Sequence, residues 1–159
     1  MQTSSFEIFD MLARAQLTGQ AIYIAAKLRI ADHLKDGAKH VEELAVRTET
    51  HSDSLYRLLR MLASIGIFAE IKDDDDDKQE QDNQRIRKRR FELTPMAYLL
   101  QSETENSIRD FALLFGLESF KKSIDDLLYS IQTGENSFKH ANGMEMYEYF
   151  ERNQKEAQN

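Results

Sequence analysis

The hydrophobic positions of the first 37 residues repeat at helical spacing. One stripe in the opening segment recurs every three or four residues and is made of Phe6, Ile8, Phe9, Leu12, Ala13 and Leu17. Residues 21–28 are apolar nearly all round and follow the pair Thr18-Gly19, which predicts a second, buried helix after that pair. A short third helix is predicted over residues 30–34, ending at Gly37.

Residues 41–66 have the pattern of two helices joined by a tight turn. Val41, Leu44 and Ala45 form the inner face of the first helix, and residues 48–51 form the turn. Ser52 or Asp53 is expected to cap the second helix. The apolar face of that second helix consists of Leu55, Leu58, Leu59, Leu62 and Ile65, and Gly66 ends it. The pattern predicts a helix-turn-helix.

Residues 67–71 and 90–94 favour strands, since aromatic and β-branched residues are frequent there and Phe91 and Leu93 alternate with polar residues. Together with the helix-turn-helix they predict a winged helix with a two-stranded wing. The connecting residues 73–89 contain one apolar residue, Ile86. Burial of apolar side chains therefore cannot offset the conformational entropy that this segment would lose on becoming ordered. They are predicted to form a mobile wing tip.

The rest of the chain predicts further helices. Thr94 and Pro95 supply an N-cap and a first-turn proline for a helix over residues 96–100. Residues 107–115 form another helix, residues 117–131 carry a longer core stripe that ends at Gly134, and a final helix lies near Met146. The predicted fold class is mainly α: a winged helix-turn-helix core with additional N- and C-terminal helices.

The domain organisation follows from this order of elements. A chain of 159 residues suits a single domain. Within it, residues 1–36 are expected to form the N-terminal helices, residues 38–100 the winged helix, and residues 101–159 the C-terminal helices.

Composition and charge narrow the functional classes. The chain has no cysteine, which excludes disulfides, thiolate metal sites and cysteine nucleophiles. Its net charge of −7 repels phosphate backbones. The N-terminus is not a signal peptide, and no apolar run approaches the roughly 20 residues that cross a bilayer. A soluble, cytoplasmic protein without a membrane partner is expected.

Candidate catalytic and metal-binding residues are few. His33, His40, His51 and His140 are scattered, and none lies four residues from another on one helical face, so no metal site is predicted. The adjacent carboxylates Asp125 and Asp126 point in different directions on a helix. No catalytic residue is therefore assigned.

Several segments, in this order, resemble the small-molecule O-methyltransferases that include plant phenylpropanoid and bacterial polyketide-type enzymes. They are residues 28–34, 41–45, 55–62 with 66–68, 91–97, and 137–143 followed by Tyr147 and Phe150. Each is weak alone, but five in the right order are specific. The resemblance covers nearly the whole chain except residues 73–89.

The resemblance implies the N-terminal dimerisation and substrate-capping domain of an enzyme that uses S-adenosylmethionine. Such a domain exchanges helices within a homodimer and lines the pocket for a hydroxylated aromatic or isoprenoid-like methyl acceptor. It implies a dimer interface at Phe6, Ile8, Phe9, Leu12 and Leu17, and pocket residues Phe111, Leu114 and Phe115. The cofactor and the catalytic histidine belong to a following Rossmann-like domain, and this sequence has no glycine-rich GxGxG turn. The chain alone is expected to bind no cofactor and to be inactive.

Two alternatives belong to other classes. One is a winged-helix DNA-binding transcription regulator, because Arg57 and Arg60 lie on the outer face of the predicted second helix of the motif and residues 85–90 are basic. Against it, only Tyr56, Arg57, Arg60 and Ser64 are candidates to contact bases, and the wing begins with five aspartates. Nucleic acid is not the expected partner. The other alternative is a scaffold that binds a protein partner.

Overall fold

The computed structural model describes residues 5–71 and 89–153. The chain forms two compact units, Met1–Arg109 and Asp110–Asn159. The predicted mobile wing tip, residues 73–89, lies outside the described residues except for Arg89. The described part is mainly helical with one small antiparallel sheet, which confirms the predicted fold class.

The described elements follow the predicted order. The first unit contains α1 (Ser5–Lys27), α2 (Ile30–His33), β1 (Lys39–His40), α3 (Val41–Arg47), α4 (Ser52–Ser64), β2 (Phe68–Ile71), β3 (Arg90–Leu93) and α5 (Pro95–Tyr98). The second unit contains α6 (Arg109–Leu114, whose first residue still belongs to the first unit), α7 (Glu118–Asp125), α8 (Leu127–Thr133), α9 (Ser137–Asn142) and α10 (Met146–Arg152).

The first helix is one continuous element, so the predicted break at Thr18-Gly19 is wrong. A glycine inside a helix costs only about 1 kcal/mol relative to alanine, which good helix formers on both sides offset. The buried residues of α1 are Ala21, Ala25 and Ala26. The carbonyl oxygen of Ala26 accepts a hydrogen bond from Arg109 Nε at 3.2 Å, which satisfies a carbonyl in the last turn of the helix.

The winged-helix core is built as the apolar pattern predicts. Helices α3 and α4 contact each other, and α4 packs on β2. The strands β2 and β3 pair antiparallel, with Phe68 opposite Leu93. The predicted two-stranded wing has a third member, because Lys39 of β1 pairs with Phe91. Strand β1 has only two residues, too few to show the alternation of apolar and polar residues by which a strand is recognised in a sequence. The large apolar side chains with at most 1% exposure are Ile30, Leu34, Val41, Leu44, Leu59, Leu62, Phe68 and Phe91.

The helix caps differ from the predictions in one place. Helix α4 begins at Ser52 with His51 as its N-cap and no side-chain cap, so Ser52 and Asp53 lie within the first turn and the predicted cap is wrong. The predicted Thr94 cap is confirmed: its Oγ1 accepts from the backbone N–H of Ala97 at 3.2 Å. The same hydroxyl donates to the carbonyl oxygen of Ile67 at 2.7 Å, which ties the start of α5 to the turn between α4 and β2.

The second unit packs through small residues. Helix α7 buries Ser119 and Ser123, and α7 and α9 are in contact. Asn142 Nδ2 donates to the carbonyl oxygens of Ser119 and Phe138, each at 3.1 Å. The buried Phe138 ring meets Tyr149 edge-on at 5.6 Å.

The predicted core stripe over residues 117–131 is wrong from Ile124 onward, and Ile124 itself is 44% exposed. The stripe is interrupted at Asp126, between α7 and α8. Leu127, Leu128 and Ile131 are exposed. Serines take the buried positions of α7 because they let α9 approach closely, and the larger apolar side chains are left outside.

A half-buried carboxylate joins α2 to the turn after α5. Asp32 Oδ1 accepts from the backbone N–H of Ser102 at 2.8 Å, and Oδ2 accepts from the Ser102 hydroxyl at 2.7 Å. Arg29 Nε also donates to Oδ2 at 3.2 Å. Burial disfavours the charged form, but the Ser102 hydrogen bonds and Arg29 outweigh it, so the pKa of Asp32 lies below its usual value.

Replacing this carboxylate should destabilise the first unit. We expect Asp32→Asn to lower the free energy of unfolding at pH 7 by about 1–3 kcal/mol, because an amide leaves one Ser102 donor without its acceptor. Since the folded pKa is below the unfolded one, the carboxylate's contribution is present above the ordinary pKa of about 3.9 and is lost as pH falls through the lower folded value. Urea denaturation at pH 7 and at acid pH measures both effects.

The matched control is Asp36→Asn, since Asp36 is exposed. This variant should unfold like the unmodified chain at neutral pH. Equal stability of the two variants at pH 7 would contradict the role assigned to Asp32.

Candidate dimer interface and substrate-capping residues

The apolar stripe of α1 is exposed to solvent. The predicted interface residues Phe6, Ile8, Phe9, Leu12 and Leu17 are between 60% and 69% exposed. Met11, which the sequence analysis did not include, is 72% exposed and lies beside them. Met11 stands at the edge of the predicted stripe, and the positions one turn away, Glu7 and Ala15, are not large apolar residues that would extend the repeat to it.

Beside the apolar stripe, the surface of α1 carries a salt bridge between Arg14 and Asp10 and a shallow concavity. Arg14 Nε contacts both carboxylate oxygens of Asp10, at 2.8 and 2.7 Å, one helical turn apart. The hydrogen bond to Asp10 and its charge raise the pKa of Arg14. A shallow concavity along the helix is lined by these two residues and by Glu7, Met11, Ala15, Thr18, Gly19 and Ile22. A Cβ added at Gly19 would meet nothing within 4 Å, so this side of the helix is open.

The predicted pocket residues belong to a cluster of aromatic rings in the second unit. Phe111 and Phe115 meet edge-on with ring centroids 5.3 Å apart, and Phe115 meets Phe120 in the same way at 4.9 Å. Phe111 is 61% exposed, whereas Phe115 and Leu114 are half-buried. The residues of α6 that are fully buried are Ala112 and Leu113. The cluster therefore presents one ring to solvent above two rings that support it.

A polar cluster joins α8 to α9 and was missed by the sequence analysis. His140 Nδ1 lies 2.5 Å from Asp126 Oδ2, and the His140 ring stacks on Tyr129 with centroids 3.7 Å apart. The Tyr129 hydroxyl donates to Glu135 Oε2 at 2.5 Å, and this bond raises the pKa of Tyr129. Asp126 and His140 are 14 residues apart, a separation that no helical repeat signals. These contacts hold the end of α7 against α9.

The surface of α4 offers fewer side chains for base contact than its sequence suggests. Arg57 and Arg60 are exposed, but Tyr56 is only 8% exposed. Its hydroxyl donates to Glu70 Oε1 at 3.2 Å, and burial together with that carboxylate raises the pKa of Tyr56. Tyr56 is a core residue, so the helix presents fewer donors than its sequence suggested.

Two further observations concern metals and membranes. Within residues 5–71 and 89–153, no three His, Asp or Glu side chains gather closely enough to hold a metal ion. In the same ranges, no helix is both long enough and apolar enough to span a bilayer.

Comparison with known proteins identifies the family. The O-methyltransferase dimerisation domain matches residues 11–103, which is more than half of the chain. The chain belongs to this family.

Individual relatives agree with the family assignment. Phenazine O-methyltransferase PhzM of Lysobacter antibioticus is 37% identical over 130 residues, which are 82% of this chain and 33% of PhzM. The crystal structure of LaPhzM has a TM-score of 0.75 at 31% identity, covering 98% of this chain and 42% of that one. RosA from Streptomyces davawensis, an N,N-8-amino-8-demethyl-D-riboflavin dimethyltransferase, has a TM-score of 0.74 at 26% identity, over 99% and 42%. The chain spans about a third of the length of the curated relatives it matches.

Substitutions in the aromatic cluster distinguish a ring that stabilises the second unit from a ring that is exposed on its surface. Phe115→Ala should lower the free energy of unfolding by about 2 kcal/mol, because its half-buried ring touches two others. Phe111→Ala should change it by less than about 1 kcal/mol, because that ring is mostly exposed. Thermal and urea unfolding, followed by circular dichroism, measure both. A larger loss from Phe111→Ala would show that Phe111 supports the unit instead of presenting a surface.

Proposed function

We propose that this chain is the dimerisation and substrate-capping part of an S-adenosylmethionine-dependent methyltransferase that acts on a small hydroxylated aromatic molecule in the cytoplasm. The observation that carries the proposal is the exposed apolar stripe of α1, on a chain whose residues 11–103 match a dimerisation domain. Six large apolar side chains on one helix are an unusual surface for a monomer and are typical of an interface.

The dimer is a homodimer in this proposal. Phe6, Ile8, Phe9, Leu12 and Leu17 contact the second copy. The anchoring of α1 through Ala21, Ala25 and Ala26 near its C-terminal end supports this, because it leaves the first part of the helix available to another chain. In a two-fold dimer the same surface of both copies lies in the interface, so the α1 stripes of both copies would be buried.

The capping role rests on the aromatic cluster. Phe111 offers an exposed ring edge and face, while Phe115 and Leu114 are partly accessible. Stacked and edge-on contacts with such rings suit a flat aromatic acceptor. The relatives compared above are named for a phenazine and for an aminoriboflavin, both of which contain fused aromatic rings. Their names include transfer to oxygen and to nitrogen, so we infer that the identity of the accepting atom is decided outside this segment.

The residues of this chain do not fit S-adenosylmethionine. A dinucleotide-type site needs a glycine-rich turn between a strand and a helix. The six glycines here are isolated, and the two nearest to each other are Gly134 and Gly143. The described strands are short and antiparallel, whereas such a site lies at the end of parallel strands. In the proposed enzyme the cofactor is bound by polypeptide beyond this segment, and the histidine base lies there too.

The dimer proposal is tested with an aspartate in the α1 stripe. Phe9→Asp should raise the dimer dissociation constant by about tenfold or more, because it places an unpaired charge in an apolar interface. Removal of residues 1–17 should abolish the dimer. Sedimentation equilibrium of the chain and both variants measures the constants.

Val46→Asp is the control, since Val46 is 76% exposed on α3 and is not part of the stripe. It should dimerise like the unmodified chain. If the unmodified chain and the version without residues 1–17 both sediment as well-folded monomers, the dimer proposal fails.

A separate prediction concerns the binding of S-adenosylmethionine. Titration calorimetry of this chain with S-adenosylmethionine should give no saturable heat, because the chain lacks the turn that such a site requires. The same titration with a full-length methyltransferase of the family serves as the positive control. Stoichiometric binding at micromolar concentration would place a cofactor site in this segment and contradict the proposal.

A further inference from the structure

Asn142 is the last residue of α9 and the one asparagine in the chain that is followed by glycine. Its half-buried side chain reaches across to α7, where Nδ2 donates to the carbonyl oxygen of Ser119 at 3.1 Å. The same Nδ2 donates to the carbonyl oxygen of Phe138 at 3.1 Å, one turn earlier in α9. This amide group therefore holds the end of α9 against α7.

An asparagine that precedes glycine is chemically labile. Glycine has no side chain that would shield its backbone nitrogen or restrict its backbone angles, so that nitrogen reaches the neighbouring side-chain amide more easily than in any other pair. Asn142 and Gly143 form such a pair at the point where α9 ends. Whether the pair reacts depends on the conformation in which the fold holds it.

The fold keeps the two reacting groups apart. The Gly143 N–H donates to the carbonyl oxygen of Lys139 at 2.8 Å, and Gly143 ends α9 in the left-handed region with φ of 77°. Before a ring can form, this hydrogen bond must break and the backbone of Asn142 must leave its helical angles. The Asn142 amide must also release the carbonyl oxygens that it contacts. Reaction therefore requires that the end of α9 opens.

We propose that Asn142–Gly143 is a spontaneous deamidation site that the folded second unit keeps closed, and that deamidation there releases α9 from α7. The inference is independent of the dimer and of the methyltransferase activity, because every group that it uses belongs to the second unit.

The reaction needs only water. The Gly143 nitrogen loses its proton to solvent and attacks Cγ of Asn142, which forms a new C–N bond. The bond from Cγ to Nδ2 then breaks, and Nδ2 leaves as ammonia after taking a proton from solvent. Water adds to one of the two carbonyl carbons of the succinimide ring. Opening at Cγ leaves aspartate, and opening at the main-chain carbonyl carbon leaves isoaspartate.

Deamidation would remove the contact that closes the site. At neutral pH a carboxylate only accepts hydrogen bonds, and at position 142 it would face the carbonyl oxygens of Ser119 and Phe138, which are acceptors too. Two hydrogen bonds would be replaced by two repulsive contacts. The effect would extend to α10, because the buried Phe138 ring packs edge-on against Tyr149. Since the reaction is not reversed by refolding, opened units would accumulate.

The rate of deamidation tests whether the fold closes the site. Mass spectrometry of the peptide that contains Asn142 measures the conversion over time at one neutral pH. We expect the chain unfolded in guanidinium chloride to react at least about tenfold faster than the folded chain, because the folded site reacts only in the small opened fraction. Equal rates in the two states, or no reaction at Asn142 in the unfolded chain, would overturn the proposal.

Gly143→Ala tests the assigned attack. In the unfolded chain this substitution should slow the reaction at Asn142 several-fold, because a methyl group shields the attacking nitrogen. The denaturant removes any effect that the substitution has on the fold. An unchanged rate would show that the Gly143 nitrogen does not attack and would contradict the proposal.

Asn142→Asp tests the consequence for the fold. Hydrogen exchange followed by mass spectrometry should show the backbone amides of α7 and α9 exchanging about tenfold faster or more, because the lost contacts favour local opening. Asn142→Ala removes the donor without adding a charge and should have a smaller effect in the same direction. The matched control is Asn106→Asp, the same chemical change at an exposed position of the first unit.

The control should leave exchange in α7 and α9 as it is in the unmodified chain. The amides of α3 and α4 should exchange alike in all the variants, which checks that the first unit stays folded. If Asn142→Asp leaves the exchange of α7 and α9 unchanged, the Asn142 amide does not hold these helices together and the proposal is overturned.

Discussion

The packing of α1 on three alanines is the contact on which the arrangement of the first unit depends. Ala21, Ala25 and Ala26 bury one face of the last part of the helix against the winged-helix core. Small side chains allow the close approach, and the Arg109 guanidinium closes the helix end at the Ala26 carbonyl. The remaining four turns have no comparable anchor, so their apolar stripe faces solvent. This single constraint leaves the large apolar side chains of the first part of the helix exposed.

The second unit follows the same physical rule with different residues. Ser119 and Ser123 take the buried positions of α7, and Asn142 ties α9 to the Ser119 carbonyl. Because small polar residues occupy the inside, the larger apolar residues of α7 and α8 lie outside. Both units are thus held by close contacts between small side chains, and each leaves large apolar side chains on one exposed helical face.

The candidate site could be predicted only in part. The spacing of Phe6, Phe9 and Leu17 indicates an apolar stripe, and the resemblance to the O-methyltransferases points to Phe111, Leu114 and Phe115. The acidic wing already counts against a DNA-binding regulator, and the structure removes one more candidate for base contact, because Tyr56 lies in the core and its hydroxyl donates to Glu70. A helical repeat shows which residues share a face, but it does not show whether that face packs inside the same chain.

By itself, the sequence determined the helix-turn-helix, its two main strands, the Thr94 cap and the resemblance to the methyltransferases, because each depends on local spacing or on side-chain chemistry within a few residues. Only the tertiary structure decided that α1 runs unbroken through Gly19, that β1 joins the sheet, that Asp126 meets His140, and that Leu127 to Ile131 lie outside the core. Two of these features depend on partners far away in the sequence, because Lys39 of β1 pairs with Phe91 and Asp126 contacts His140. Local sequence patterns do not specify which residues far apart in the chain will contact each other.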